Sequence, residues 1–319
     1  MDFEEFKYLM SGNEKIEEEL FKNAQKIRSS IFENKIYLRA TIELSNICNN
    51  TCFYCGMSKE NKKLLRYKIP IEEVFYLIDK ISELKIGHIH FVTGEINDDF
   101  EYLEKIIEYS IKKKNYTTGV FGILPKEKLK KLKEIGLDRY ILKFETSNKE
   151  IFEEYKPEIS FRDRIEYIKY LKEIGYKVGT GNIIHLPKTT LKDYFNDYLL
   201  MQELKPNMAS SSLFFPNKFS RLKDYSRGNL NQLLRFIAIL RTNLLTPAPV
   251  IPISSSFGKD SLDLGIKAGG NLVSIPFTPS CYQEYFSMYY DKNGQRIKRK
   301  IDEILKVCEK NQLEICIYE

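Results

Sequence analysis

Apolar residues recur along this chain in two alternating rhythms. Short runs dense in β-branched and aromatic residues fall at 36–44, 88–93, 117–122, 139–145, 177–186, 208–215, 249–254 and 271–276. Between them, near 71–85, 98–114, 125–135, 160–175, 190–204, 229–245 and 259–268, apolar positions return at close to 3.6 residues, as on one face of a helix. Residues 295–311 give a last helix. Strands alternating with helices pair in parallel as βαβ units, and eight such units predict an α/β fold, a (β/α)8 TIM-type barrel. Ahead of the first strand, Phe6, Leu9, Ile16, Leu20, Ala24 and Ile27 mark an amphipathic helix over 3–33, expected to pack across one end of the fold. The expected organisation is a helical extension, 1–35, and one barrel domain, 36–319. No linker rich in Gly, Pro or Ser divides the chain, and barrels of this length commonly form one domain.

Barrel chemistry gathers at the C-terminal ends of the strands, and the polar candidates of this sequence fall there. Cys48, Cys52 and Cys55 follow the first strand in a C-x3-C-x2-C arrangement; Gly94-Glu95 ends the second and Glu145 the fourth. Asn182 and His185 lie along the fifth, Ser254 and Ser255 end the seventh, and Thr278, Cys281 and Tyr282 follow the eighth. Three thiolates within eight residues suit one face of a [4Fe–4S] cluster, which takes four ligands. Three cysteines therefore leave one iron open, as in catalytic rather than structural metal sites. Zinc fits less well, because no second C-x2-C or H-x3-H pair accompanies the motif. A disulfide framework is not needed in a chain that buries a core of this size.

Composition narrows the classes further. The 43% hydrophobic and 29% charged residues describe an ordinary globular chain. A net charge of +6 from 50 basic and 44 acidic residues, with Lys and Glu interleaved, describes solvated helix faces and argues against a nucleic-acid partner. No apolar run approaches the roughly 20 residues that span a bilayer. The acidic start, Met1 to Glu5, lacks the apolar centre of a signal peptide, so a cytoplasmic location is expected.

The motifs resemble the radical S-adenosylmethionine (SAM) enzymes, in the branch of biotin synthase, methylornithine synthase and the iron–iron hydrogenase maturase (HydE). The resemblance runs from about Arg39 to Tyr290. It rests on Arg39 to Asn46 leading into Cys48, and on Cys55-Gly56, Gly94-Glu95 and Lys143 to Asn148. Ser160-Phe161 with Arg164, Gly175 to Gly181, Gly265 to Asn271 and Phe277 to Ser280 complete it. It implies that the open iron binds the amino and carboxylate groups of SAM. The Tyr54 backbone would then meet the adenine edge. Gly94-Glu95 would bond the methionine ammonium, and Glu145 the ribose hydroxyls. Arg164 would fork onto the carboxylate, and Gly179 and Gly181 would leave room for the adenosine. Taken singly, Glu145 reads as a surface acid, and Arg164 as a partner for Asp163 or Glu166.

The implied activity is reductive cleavage of SAM to a 5′-deoxyadenosyl radical, with an electron from a ferredoxin or flavodoxin. The implied substrate is a small molecule, most like the maturase's cysteine-bearing iron complex. Methylornithine synthase-like rearrangement, biotin- or lipoyl-type sulfur insertion and a non-catalytic metal-binding scaffold are the alternatives. The sequence departs from the maturases at Ile96-Asn97-Asp98, at Ser254 to Ser256 and at Cys281, where a proline is usual. Those departures cluster where substrate is expected. Ser254, Ser255, Thr278, Cys281 and Tyr282 are accordingly the candidate substrate contacts. Cys308 and Cys316 read as core or surface thiols. His88 and His90 read as core histidines, one of them facing the barrel interior.

Overall fold

The computed structural model describes residues 1–95, 99–245, 247–253, 260–286 and 301–317. Among the described residues there are eight strands: β1 (Lys35–Glu43), β2 (His88–Val92), β3 (Tyr116–Val120), β4 (Arg139–Ile141), β5 (Lys177–Ile184), β6 (Met208–Leu213), β7 (Leu272–Pro276) and β8 (Glu314–Ile317). The sheet is parallel and ordered β6-β5-β4-β3-β2-β1-β7. The seventh predicted strand, 249–254, is reduced to bridges, Val250 to Met208 and Pro252 to Leu272. Those bridges join β6 to β7 and carry the hydrogen bonding around the full circuit, so the barrel expectation holds. The predicted eighth strand is β7.

β8 was not anticipated. It pairs Glu314–Ile317 with Lys35–Leu38, the first half of β1, while β2 pairs with Ala40–Glu43. Four residues after a helix carry too little periodicity to announce a strand.

The helices are α1 (Phe3–Ser11), α2 (Glu14–Phe32), α3 (Ile71–Glu83), α4 (Phe100–Lys112), α5 (Lys126–Ile135), α6 (Lys149–Tyr155), α7 (Phe161–Glu173), α8 (Leu191–Leu204), α9 (Leu230–Asn243), α10 (Ser261–Lys267), α11 (Ser280–Gln283) and α12 (Ile301–Lys310). Their starts are locally encoded. Ser160 caps α7, Thr190 and Asp193 form a capping box on α8, and Asn148 caps α6. The predicted helix over 3–33 is two helices, because Asn13 accepts from the Ile16 amide and starts a new one. The pair does not lie across one end. Phe6 packs against Phe195, Tyr198 and Phe236 on α8 and α9, and Arg235 of α9 reaches Glu17 at 2.8 Å. Phe32 meets the barrel edge-on at Tyr37 of β1, 6.3 Å away.

The main core lies between the strands and the surrounding helices. Inside the barrel, Ile141, Met208, Val250 and Leu272 form a smaller plug. Arg39 of β1 bonds Ser274 of β7 at 2.8 Å and reaches Met208 Sδ at 3.6 Å. β1 and β6 are not sheet neighbours, so this contact crosses the lumen and marks the face of Arg39 as interior. His90 lies on the same face, bonded to Thr41 at 3.2 Å, and His88 meets Thr118 at 2.7 Å. Both histidines are buried together, since residues two apart on a strand share a face; the expectation that only one does is corrected.

Candidate active site

β1 delivers the chain into a loop, Ser45 to Tyr67, that has almost no regular structure. Its polar backbone groups are satisfied by local turns and by side chains. Asn46 Nδ2 donates to the Leu65 and Tyr285 carbonyls at 2.8 and 2.7 Å, and its Oδ1 accepts from the Tyr67 amide at 2.8 Å. Asn61 donates to the Gly56 carbonyl at 2.7 Å. Arg66 spans the carbonyls of Asn46, Met57 and Ser58 at 2.6–2.8 Å. These bonds hold the loop in one conformation around its three cysteines.

Cys52 is buried, and Cys48 and Cys55 are half-buried. Burial pushes both the Cys52 and the Cys55 thiol up, and the neighbouring cysteines push each further. Three sulfurs that repel one another as thiolates call for a cationic centre between them. Among the described residues, no group of three His, Cys, Asp or Glu side chains is disposed around a single ion. Cys281 is exposed, Cys308 is buried in α12, and Cys316 lies on β8 beside Tyr37 at the opposite, N-terminal end of β1. The loop therefore offers three thiolates, one fewer than the four ligands that a [4Fe–4S] cluster takes.

Gly94 follows β2 and packs directly on this loop. A Cβ there would stand 2.1 Å from the Ile47 carbonyl oxygen and 2.7 Å from Cys48 Cβ. The glycine is required by the close approach of the cysteine loop itself, and the Asn49 amide bonds the Glu95 carbonyl at 3.0 Å. Glu95 turns its carboxylate inward to Lys156 at 2.7 Å and Arg164 at 3.4 Å. Burial opposes its charge, yet the two cations hold the carboxyl well below the usual carboxylate range. Arg164 also donates Nε to the Lys143 carbonyl at 2.8 Å. Its partners are thus neither Asp163 nor Glu166, and its buried fork sits beside Glu95.

Glu145 adopts φ +64°, a left-handed conformation costing a non-glycine residue roughly 1–2 kcal/mol. Two bonds to β5 impose it: the Glu145 amide to the Gly181 carbonyl at 3.0 Å, and the Ile183 amide to the Glu145 carbonyl at 2.7 Å. Behind the turn, buried Asp197 accepts from the Ser147 amide at 2.6 Å and from Asn182 at 2.7 Å. Ser211 donates to Asn182 at 2.8 Å, so Asn182 serves this brace. Gly181 is forced by β6, because its Cβ would fall 1.6 Å from the Ser210 carbonyl oxygen. At Gly179 a Cβ would meet Ile141 and Met208 at 2.8 Å. Neither glycine leaves free space; protein packing accounts for both.

Tyr54, Cys55, Lys143, Glu145, Ile183 and Ser212 line a cleft, with Phe214 and Phe215 completing its wall. Lys143 Nζ lies 3.2 Å from Glu145 and 3.3 Å from Ser212. The structure thus brings Tyr54, Cys55 and Glu145 together, with Glu95 and Arg164 joined behind the cysteine loop.

Of the candidate substrate contacts among the described residues, Thr278, Cys281 and Tyr282 do not line this cleft. Ser254 and Ser255, with Ser256 and Ile96-Asn97-Asp98, lie outside the described residues. Thr278 accepts the Glu43 amide at 2.8 Å and secures the end of β1. Tyr282 stacks on Tyr67 at 4.9 Å and bonds Glu73 of α3 at 3.1 Å. Lys143, Lys156 and Asp197 were not anticipated as site residues. Lys143 opens the Lys143 to Asn148 motif, whereas nothing in local sequence separates Lys156 from the other basic residues of the chain.

A parallel α/β barrel that surrounds a three-cysteine loop with a cleft beside it defines the class. The chain belongs to the Radical SAM superfamily, whose profile matches residues 42–200. It is 31% identical over 282 residues to the [FeFe] hydrogenase maturase subunit HydE of Thermotoga maritima, covering 86% of this chain and 80% of that protein. It is 26% identical over 303 residues to 3-methylornithine synthase of Methanosarcina acetivorans, covering 92% and 83%. The fold matches the crystal structure of methylornithine synthase (PylB) with a TM-score of 0.89 at 22% identity, over 99% of this chain and 94% of that one. The protein is a radical SAM enzyme, and its cofactors are a [4Fe–4S] cluster and SAM. Among the described residues no helix is long and apolar enough to cross a membrane.

Proposed function

We propose that Cys48, Cys52 and Cys55 hold the cluster and that the adjoining cleft binds SAM. Bound there, the cofactors supply a 5′-deoxyadenosyl radical once one electron arrives, and we assign the donor to the ferredoxin or flavodoxin class. Glu145, projecting into the cleft from its braced turn, takes the ribose hydroxyls, and the Tyr54 backbone meets the adenine edge. Arg164 takes the methionine carboxylate. The Gly94-Glu95 backbone takes the ammonium, since the Glu95 carboxylate is already paired. Gly179 and Gly181 shape the cleft floor indirectly, by letting β5 close on β4 and β6.

The substrate reading is that of an iron–iron hydrogenase maturase acting on a small polar molecule. The observation that carries it is the 31% identity to HydE along 86% of the chain. The Lys143–Glu145 ion pair and Ser212 give the cleft a polar lining, which favours a small polar ligand over an apolar one. Ser254, Ser255, Thr278, Cys281 and Tyr282 remain the proposed rim contacts, of which Thr278 and Tyr282 act through the loops they secure. The resemblance to 3-methylornithine synthase supports amino-acid rearrangement as the second reading.

The test is anaerobic reconstitution with candidate substrates, reading 5′-deoxyadenosine and its partner product. Coupled turnover of the maturase substrate is expected. Coupled turnover of an amino acid instead selects the second reading, and absence of 5′-deoxyadenosine under every condition removes both. A Ser254→Ala, Ser255→Ala variant should lower coupled turnover while leaving SAM affinity intact.

A further inference from the structure

Lys156 closes α6 and has no place among the cofactor contacts just described. Its side chain is 4% exposed. Its ammonium lies 2.7 Å from Glu95 Oε1 and 3.4 Å from Cys52 Sγ. Glu95 also receives Arg164, so two buried cations share one carboxylate. One unit of positive charge is left over, and the sulfur within reach of it is the most buried of the three. A buried cation lacking a full counter-charge is costly. An ammonium with three donors has at least one to give a thiolate.

We infer that Lys156 is a positioning residue for the cluster: its ammonium hydrogen-bonds the Cys52 thiolate, fixes the buried corner and raises the cluster's midpoint potential. Glu95 holds the ammonium in place, and Arg164 holds Glu95 from its other side. The inference rests on Cys52 being a cluster ligand. Hydrogen bonds to the sulfurs and nearby charge are among the factors that set such potentials. Reduction adds negative charge, so a fixed cation stabilises the reduced form more than the oxidised one. The sequence hides this relationship, because 104 residues separate the two side chains.

The experiment compares reconstituted wild type, Lys156→Gln, Lys156→Arg and Cys52→Ala by EPR-monitored redox titration, iron and sulfide content, and SAM affinity. Lys156→Gln is expected to lower the reduced-to-oxidised ratio at a fixed potential about tenfold, a midpoint about 59 mV more negative for one electron. Lys156→Arg should restore most of that shift. An unchanged midpoint in Lys156→Gln overturns the inference, and does so equally if SAM affinity falls instead. Should Lys156→Gln retain no cluster, Lys156→Arg decides. A cluster near the wild-type midpoint supports the role of charge, and an empty or strongly shifted variant overturns it. A cluster retained in Cys52→Ala defeats the ligand assignment. A cluster lost there, with an unchanged Lys156→Gln midpoint, defeats only the role of the lysine.

Discussion

A Cβ placed on Gly122 would stand 1.9 Å from Cγ of Glu95. Gly122, just past β3, has φ +74°, so it is fixed as glycine both by its backbone and by the carboxylate chain packed on it. Gly122→Ala is expected to cost about 1–2 kcal/mol for the left-handed backbone alone. It should also push Glu95 off Lys156 and Arg164 and so weaken SAM binding. Denaturant unfolding with anaerobic calorimetry checks both; a destabilised variant with wild-type SAM affinity would show that Glu95 does not organise the site.

The cluster should depend on one loop and on no other cysteine. Wild type, Cys281→Ala and Cys308→Ala should each carry about four irons and four sulfides per chain. Cys52→Ala should carry almost none. A second cluster, or loss of this one in Cys281→Ala, would contradict the three-thiolate arrangement.

Arg164→Lys should be far from conservative. The ammonium cannot keep the Nε bond to the Lys143 carbonyl, stay beside Glu95 and also fork onto a carboxylate. Hydrogen bonds to charged groups contribute about 1.5–3 kcal/mol, so SAM affinity should fall by roughly one to two orders of magnitude. Glu145→Gln should weaken binding in the same direction. Unchanged titration isotherms in both variants would relocate the cofactor.

Asp197 gives the fold a distinct pH response. Burial raises its carboxyl to about 6 against the opposing bonds from Ser147 and Asn182, whereas an unfolded aspartate sits at about 3.9. The native state then holds this proton more tightly than the unfolded chain. The stability from this group is full below pH ~4 and is lost as pH rises through 6. Relative to Asp197→Asn, wild-type stability should fall by about 2 kcal/mol between pH 4 and pH 7. Parallel stability curves for the two proteins would mean that Asp197 is ionised in the fold throughout.

The sequence by itself determined the alternation of strands and helices, the three-cysteine loop and the order of the motifs after it. All of these are local: periodicity over ten residues, spacing over eight, a capping residue before its helix. What it left open depends on which distant segments the closed sheet brings together. Arg164 has two acidic neighbours along its own chain, and only the fold shows it beside Glu95. Gly179 and Gly181 looked like room for a ligand, and only the fold shows that β4 and β6 come too close to them for a Cβ, as the cysteine loop does to Gly94. Lys156 was one lysine among many until α6 carried it against Cys52. Burial turns an ordinary solvated ammonium into a charge that must find a partner, and burial is a property of the tertiary structure alone.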